Sequence, residues 1–173
     1  MLKKILVTLA LGGALLVLFV WANYEGQPLP IDTRVDEIQV SKSEHRLVLL
    51  QQGKPLKAYR IALGPMPAGH KEREGDGRTP EGLYRIDSHK LDSAFHRALH
   101  ISYPNERDIQ VAKSKGVDPG GAIMIHGIRN GLGWIGMLHR LVDWTAGCIA
   151  VTNWEIDELW RVVQDGTPIV IRS

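Results

Sequence analysis

The first 22 residues carry the most continuous hydrophobic pattern in the chain. Residues 5–20 are apolar apart from one threonine and two glycines, and Lys3 and Lys4 precede them without any acidic neighbour. This run is long for a signal-peptide core of ~7–15 residues and short for a membrane span of ~17–25 residues. Residues 1–22 therefore predict a signal peptide or a signal-anchor transmembrane helix. Trp21 suits an interfacial anchor, and Ala22 suits a cleavage site.

The position of the lysines and the segment after the apolar run predict on which side of the membrane the rest of the chain lies. Because lysines ahead of an apolar segment stay in the cytoplasm, the body is expected on the outer side of the membrane. Residues 23–34 contain Gly26, Pro28 and Pro30 and have no periodic hydrophobic pattern. They predict a linker that lifts the body away from the bilayer.

From residue 35 onward the hydrophobic positions mostly follow strand patterns. Short alternating or continuous apolar segments are bounded by glycine, proline and polar residues, which is typical of β-strands. A turn at Gln51-Gln52-Gly53-Lys54 separates two of them and predicts a hairpin. The predicted strands are at residues 38–40, 46–50, 58–63, 83–86, 122–125 and 169–171.

Two segments carry helical signals. The stronger is residues 152–163, where Thr152 and Glu155 have the spacing of a capping box and apolar residues follow a 3.6-residue period. Those apolar residues are Ile156, Leu159, Trp160 and Val163. A shorter helix is predicted at residues 107–115, because Gly116 suits the position after a helix. Residues 91–103 are compatible with helix or strand.

Two glycine-rich segments predict loops. Residues 64–81 are long, polar and rich in turn residues, so they are either a solvated excursion or a rim of the functional site. Residues 131–136 match the dinucleotide pattern Gly-x-Gly-x-x-Gly, but no amphipathic helix follows, as that fingerprint requires. A flexible loop over the functional site is predicted there instead.

The charge balance excludes one class of function. The chain has 21 basic and 19 acidic side chains, and removing Lys3 and Lys4 leaves 19 of each (21 minus 2, against 19). A body without net charge argues against non-specific nucleic-acid binding, which needs a basic face. With 44% hydrophobic and 23% charged residues overall, residues 35–172 are expected to form one globular domain.

Cys148 is the only cysteine and lies in the sequence Thr145-Ala146-Gly147-Cys148-Ile149. By default a lone cysteine is a small buried hydrophobe, but an unpaired thiol in an exported protein is a candidate for reactivity. His126 follows the predicted strand at residues 122–125, and a thiol with an imidazole is sufficient for nucleophilic acyl transfer. His139 is a second candidate imidazole.

Glycines flank both candidate reactive residues. Gly127 and Gly147 would allow close substrate approach and leave backbone N–H groups free to face an oxyanion. The seven histidines and the single cysteine show no spacing typical of a zinc site. We therefore expect neither a metal nor a cofactor.

These motifs together resemble the L,D-transpeptidase catalytic domain (YkuD-like) family. The family signature is a histidine, a spacer, and then Ser/Thr-His-Gly-Cys, which Ile125-His126-Gly127 and residues 145–149 match in order. Residues 79–86, Thr-Pro-Glu-Gly-Leu-Tyr-Arg-Ile, are similar to the family's Thr-Pro-x-Gly-x-aromatic-x-Ile stretch. The resemblance covers residues 35–172. It implies a mostly β, sandwich-type fold with one or two short helices, preceded here by the apolar helix.

The resemblance also implies an activity. In such enzymes the cysteine attacks the carbonyl of a diamino acid in a peptidoglycan stem peptide, D-alanine leaves, and an amine resolves the thioester. Cys148 would be the nucleophile, His126 the proton donor and acceptor, and a carbonyl at Gly127 or Ile128 would orient the imidazole. The N–H groups of Gly147 and Cys148 would form the oxyanion hole. The implied setting is the periplasmic side of the cell envelope.

Two positions depart from the family pattern and indicate a distinct branch. Ala146 stands where histidine is usual, and Ala150 where arginine or asparagine is usual. The missing arginine raises the question of what holds the donor carboxylate, and Arg140 or Arg129 is a candidate. His139 could replace the missing imidazole, and Thr145 is a further candidate for substrate binding.

Three functions remain open at this stage. The first is a membrane-anchored L,D-transpeptidase; the second is a cysteine hydrolase on the same fold that cleaves wall cross-links or protein links. The third is a non-catalytic wall-binding module with an inert cysteine. The acceptor (stem amine, protein amine or water) does not follow from the residues. A monomer is expected, with the inner membrane and peptidoglycan as its partners.

Overall fold

The structure is a computed structural model that describes residues 1–173, except for the side chain of Leu2. The three α-helices are α1 (Leu2–Ala22), α2 (Glu106–Ser114) and α3 (Asn153–Val162). A 3₁₀ segment occupies Gly133–Leu141. The strands are β1 (Glu37–Ser41), β2 (Arg46–Gln51), β3 (Lys54–Arg60), β4 (Gly82–Ser93), β5 (His96–Ile101), β6 (Met124–His126), β7 (Ile149–Ala150) and β8 (Pro168–Arg172).

The eight strands form one mixed sheet in the order β3-β2-β1-β8-β4-β5-β6-β7. Strand β4 belongs to both halves of it, because its first four residues pair with β8 and its later residues pair with β5. A register shift between Ile86 and Ser88 marks the change. At the far ends of the order, Ala62 pairs with Ala150 in β7, so the sheet curls around its core. This confirms the predicted mostly β, sandwich-type fold with its preceding apolar helix.

The predicted hairpin is formed by β2 and β3. Gln52 and Gly53 connect the strands, and both have positive φ, as a two-residue hairpin turn of the favoured type requires. The third strand was expected at residues 58–63, but β3 begins directly after the turn at Lys54 and ends at Arg60. The reason is that hairpin pairing starts at the turn, whereas the hydrophobic pattern becomes visible only further along the strand.

Residues 91–103, which the sequence left undecided, are mainly extended. They include the end of β4 and the whole of β5, with a short turn between them. Ala98, Leu99 and Ile101 are fully buried. The strand conformation results from pairing with β4 on one side and β6 on the other.

Both predicted helices are present. In α3, Thr152 and Glu155 form the reciprocal capping box, and Ile156 and Leu159 are buried in the core. In α2, Asn105 and Asp108 form a second capping box. The chain leaves α2 through Gly116, which has a φ of 67°.

The glycine-rich segment after His126 is not a flexible loop over the functional site, so that prediction was wrong. Residues 133–141 form the 3₁₀ segment, and it packs against the C-terminal end of α1. Gly136 has a left-handed φ of 50°, and a side chain there would overlap the carbonyl oxygen of Ala22. Gly136 therefore allows the backbone of this segment to approach the end of α1 closely.

Helix α1 is long and apolar enough to cross a membrane. Length and composition alone support this, and a signal sequence has the same properties. Along the described side chains of α1, only Ala22 is buried. The helix thus contacts the body at its last turn and leaves its apolar surface uncovered.

Candidate active site

A cleft of about 710 Å³ contains both residues of the predicted reactive pair. Aromatic and small apolar side chains cover much of its wall, and three exposed charged side chains also line it. The lining residues are Lys90, Asp92, Ser93, Ala94, Phe95, Ala122, Met124, His126, Arg129, Trp144, Thr145, Ala146 and Cys148.

Adjacent parallel strands bring the two reactive residues together. His126 is the last residue of β6, and Cys148 immediately precedes β7. Strands β6 and β7 pair in parallel with Ile125 opposite Ile149. This register sets Cys148 two positions before the residue opposite His126, so both side chains lie on the same face of the sheet, although 21 residues lie between them in sequence (127 to 147).

His126 is held as a neutral imidazole in a defined orientation. Its Nδ1 lies 2.7 Å from the carbonyl oxygen of Gly127, so Nδ1–H donates and Nε2 keeps a lone pair for a proton. The ring is 3% exposed and packs against Phe95 and Trp144, with ring centroids 4.5 and 5.6 Å away. Burial lowers the pKa of His126, and the bond to Gly127 only partly opposes this.

Cys148 is a partly exposed thiol that is protonated at rest. Its Sγ lies 3.5 Å from the carbonyl oxygen of Ala122. Burial raises the thiol pKa, although a backbone hydrogen bond at Met124 and the charge of Lys71 act in the opposite direction. Because the imidazole pKa is lowered and the thiol pKa is raised, the pair rests as neutral thiol and neutral imidazole.

Thr145 shapes the turn that carries the nucleophile. Its hydroxyl donates to the carbonyl oxygen of Cys148 at 2.8 Å and accepts from the N–H of Gly147 at 3.2 Å. The N–H of Gly147 is therefore engaged within the turn at rest. Asp143 holds the start of the loop, since its carboxylate accepts from the N–H of Leu63 at 2.8 Å.

Gly127 and Gly147 have separate structural roles. The N–H of Gly127 is bonded within the sheet to the carbonyls of Phe95 and Arg97, and its own carbonyl orients His126. Gly147 has a φ of 116°, and a Cβ there would lie 2.5 Å from the carbonyl oxygen of Arg78. A side chain at Gly147 would thus strain the backbone and collide with the loop behind it.

Residues 64–81 support the nucleophile turn from behind and supply no side chain to the cleft lining. This loop is folded around Asp76, whose carboxylate accepts from three backbone N–H groups and from Lys71. Burial alone would raise the Asp76 pKa, but these hydrogen bonds lower it to about 2. Lys42, 2% exposed, ties the loop to the sheet by donating to the carbonyls of Gly69 and Thr79.

The candidate substrate-binding residues lie in different environments. Arg129 lines the cleft, whereas Arg140 does not: its guanidinium pairs with Glu155, the capping residue of α3. His139 is also outside the cleft lining. It is 4% exposed, and its Nδ1 accepts from the Trp144 indole N–H at 3.3 Å.

His139 is uncharged across the physiological range. Burial, with the nearby charge of Arg140, lowers its pKa to about 3. Its Nε2 is buried and makes no hydrogen bond to the described residues. His139 therefore contacts the cleft indirectly, through Trp144, which packs on His126.

Sequence reasoning missed several residues of the cleft, and four of them bear on its chemistry. Phe95 and Trp144 enclose His126, and Lys90 and Asp92 place opposite charges on the rim. Trp144 could have been noticed from its position beside Thr145. The other three lie in or next to residues 91–103, which were compatible with helix or strand. Without that assignment, the sequence did not show that the three side chains line one cleft. Among the described residues, no group of three or more His, Cys, Asp or Glu side chains could hold a metal ion.

Comparison with known proteins gives a consistent result. The family model for the L,D-transpeptidase catalytic domain (YkuD) matches residues 36–171. "Putative L,D-transpeptidase YafK" of Escherichia coli (strain K12) is 32% identical over 132 residues, covering 73% of this chain and 46% of that protein. The chain thus spans about half the length of the curated relatives it matches.

Solved structures show the same fold. The helical cell shape determining protein Pgp2 of Campylobacter jejuni matches with a TM-score of 0.61 and 26% identity, covering 91% of this chain and 54% of Pgp2. Bd1075 of Bdellovibrio bacteriovorus matches with a TM-score of 0.56 and 22% identity, covering 87% of this chain and 52% of Bd1075. With its family model matched over most of its length, this chain belongs to the L,D-transpeptidase catalytic domain family.

Proposed function

We propose that this protein is a membrane-anchored peptidoglycan L,D-transpeptidase acting on the outer side of the cytoplasmic membrane. One observation carries the proposal: the only thiol of the chain and an oriented, neutral imidazole line one cleft in a member of this family. The acyl donor is a stem peptide whose diamino acid carbonyl is attacked by Cys148.

The neutral pair supports a general-base mechanism. Nε2 of His126 takes the thiol proton as Sγ attacks the carbonyl carbon. The C–N bond to the terminal D-alanine then breaks, and the leaving amine takes that proton from His126, which leaves a thioester on Cys148. An acceptor amine attacks the thioester and gives its proton to His126, and Sγ recovers a proton as it leaves.

The N–H of Cys148 is the first candidate donor to the oxyanion. The N–H of Gly147 can become the second only if the Thr145 hydroxyl gives up its hydrogen bond in the transition state, since that bond is formed at rest. Such a donor would stabilise the negative charge that develops on the carbonyl oxygen in the transition state, and it would not stabilise the bound substrate.

Charges at the cleft rim suit a donor that carries both signs. Arg129 and Lys90 can bind carboxylates, and Asp92 can bind an ammonium group. The donor has both groups near the scissile bond, because the diamino acid carries a side-chain ammonium and the terminal D-alanine carries a carboxylate. Of the two arginines considered for the donor carboxylate, Arg129 is favoured because the charge of Arg140 is already paired.

The likeness to Pgp2, described as a helical cell shape determining protein, supports a role in wall remodelling that affects cell shape. A hydrolase would form the same thioester and differ only in using water as acceptor. Incubation with purified tetrapeptide monomers and, separately, with purified cross-linked dimers distinguishes a transpeptidase from a hydrolase that cleaves wall cross-links. We expect cross-linked dimers with loss of D-alanine, whereas trimmed monomers alone would identify the hydrolase.

Acylation itself is tested with a carbapenem, whose strained carbonyl resembles the acyl donor. We expect a single covalent adduct on Cys148 by intact-protein mass spectrometry, and none on the Cys148→Ala variant. An absence of both adduct and muropeptide turnover in the folded protein would contradict the enzymatic proposal and favour a wall-binding module.

A further inference from the structure

The contact between α1 and the body is short and specific. Asn23, the residue after α1, donates from Nδ2 to the carbonyl oxygen of Trp134 at 2.9 Å. Ala22 packs against Gly136, whose left-handed backbone leaves room for no side chain. The 3₁₀ segment is thus attached directly to the point where the apolar helix ends.

The segment after α1 is bound to the body by hydrogen bonds, so it is not a flexible linker. Residues 24–30, called the strap here, lie against α3. The N–H of Leu29 and the side chain of Lys57 both bind the buried carboxylate of Glu158, and Arg161 donates to the carbonyls of Leu29 and Pro30. The body is therefore held at a defined position relative to the end of α1.

Large apolar side chains are exposed around this attachment point. Leu132, Trp134, Leu141 and Val142, called the apolar flank here, are between 43 and 79% exposed. Single exposed hydrophobic residues are common on protein surfaces. These four, however, belong to one stretch of residues 131–142 that contains no acidic residue, and Trp21 and Tyr24 are exposed beside it at the end of α1.

We infer that the apolar flank lies in the outer headgroup layer of the bilayer, so that the catalytic body is docked on the membrane surface. The inference depends on the proposed retention of α1 as a transmembrane anchor. A helix that spans the bilayer places its last turn at the interface, where tryptophan and tyrosine are enriched. The 3₁₀ rise of about 2 Å per residue keeps Leu141 within about 10 Å of Gly136 along the segment, which is the upper end of the depth of about 5–10 Å to which interfacial apolar faces are buried.

Docking of the flank has a consequence for the substrate. Val142 is separated from Trp144 of the cleft by one residue, which spans at most about 7 Å. The cleft is then confined to the vicinity of the bilayer, and the acyl donors it reaches are the stem peptides nearest the membrane.

Depth-dependent fluorescence quenching tests the docking. Trp134→Cys or Leu141→Cys is introduced into the Cys148→Ala protein, and the single cysteine is labelled with a nitrobenzoxadiazole dye. The labelled protein is reconstituted into nanodiscs with or without lipids that carry a nitroxide near the headgroup. The matched controls are Leu83→Cys and Ile109→Cys, which replace exposed hydrophobic residues on β4 and α2.

We expect about twofold quenching at positions 134 and 141 and almost none at 83 and 109. A Gly136→Ala change should reduce quenching at position 141 to the control level while α1 still holds the protein in the disc. Equal quenching at all four positions would overturn the inference. It would also be overturned if the protein isolated from membranes had lost residues 1–22 by cleavage. Since Cys148 is absent from every labelled protein, the result is independent of the acyl-transfer tests.

Discussion

At the scale of single residues, burial determines the protonation of the reactive pair. Among the described residues, the imidazole of His126 makes one hydrogen bond, to the carbonyl of Gly127, and none to a carboxylate that would stabilise its charged form. Cys148 lies in a mostly apolar cleft. An ion pair of thiolate and imidazolium is therefore disfavoured, and the proton must move during the attack itself.

The two pKa shifts predict different pH profiles for two reactions of Cys148. Alkylation by iodoacetamide depends on free thiolate, and because the thiol pKa is raised, its rate should increase about tenfold per pH unit from pH 6 to above pH 8.5. Acylation by carbapenem depends on neutral His126, whose pKa is lowered, so its rate should be nearly constant above about pH 6.5 and fall only in more acidic solution. Both rates are measured by mass spectrometry across pH. An alkylation rate that is already constant near neutral pH would indicate a resting ion pair instead.

His139 is predicted to be a positioning residue that acts through Trp144. His139→Phe keeps the buried volume but leaves the indole N–H without its acceptor, a cost of about 1–3 kcal/mol. We expect a lower melting temperature and several-fold slower acylation. The pH profile should be unchanged, because His139, with a pKa of about 3, does not titrate in that range.

His139→Gln, which can still accept a hydrogen bond, is the matched control for this change and should recover most of the rate. A shifted pH profile in His139→Phe would instead assign His139 a role in proton transfer. Unchanged stability and acylation would remove its positioning role.

At the scale of elements, two features place the nucleophile. Parallel pairing of β6 and β7 sets His126 opposite Ala150, so Cys148 lies two positions away on the same face of the sheet, and the turn at Thr145 bends the chain immediately before β7. The loop of residues 64–81 contacts this turn through the carbonyl of Arg78 and leaves no space at Gly147. The turn is thus fixed from inside by a hydroxyl and from behind by a backbone carbonyl.

Gly147→Ala should therefore displace the nucleophile turn. The substitution combines a left-handed φ with a Cβ that would lie 2.5 Å from a backbone oxygen, and we expect about 2 kcal/mol or more of destabilisation with at least tenfold slower acylation. Gly166→Ala is the matched control, because Gly166 also has a positive φ but open space around it. It should cost only about 1 kcal/mol. Equal effects of the two changes on acylation would argue against a specific clash at Gly147.

At the scale of the whole molecule, the strap joins α1 to the catalytic domain. Glu158 is 5% exposed and accepts from Lys57, Tyr59 and Leu29. Burial alone would raise the Glu158 pKa, but these donors lower it. One ionised side chain thus holds the hairpin, the strap and α3 together.

Glu158→Gln should release the strap without unfolding the domain. The variant retains the shape but leaves the ammonium group of Lys57 without its charge partner, and we expect about 1–3 kcal/mol of destabilisation. Faster hydrogen exchange is expected at residues 26–31, measured by mass spectrometry in detergent. Asp165→Asn, which removes a pairing of His89 with an exposed carboxylate, should leave both stability and exchange nearly unchanged. Unaltered exchange at residues 26–31 in Glu158→Gln would show that the strap does not depend on this contact.

The sequence by itself determined the features that depend on near neighbours. Alternation of apolar residues indicated the strands, the Thr152 and Glu155 spacing indicated the start of α3, and residues 145–149 singled out Cys148. These signals are readable because strand faces, helix caps and turns involve residues only a few positions apart.

Only the tertiary structure decided which distant residues meet. The pairing of Arg140 with Glu155 and the attachment of the 3₁₀ segment to α1 join residues whose separation in sequence carries no local signal. Sheet order decided that the reactive pair meets: β5, β6 and β7 are neighbours, and the curl of the sheet brings Ala62 to Ala150. The hydrophobic pattern specifies which face of a strand is buried, but not which strand lies beside it.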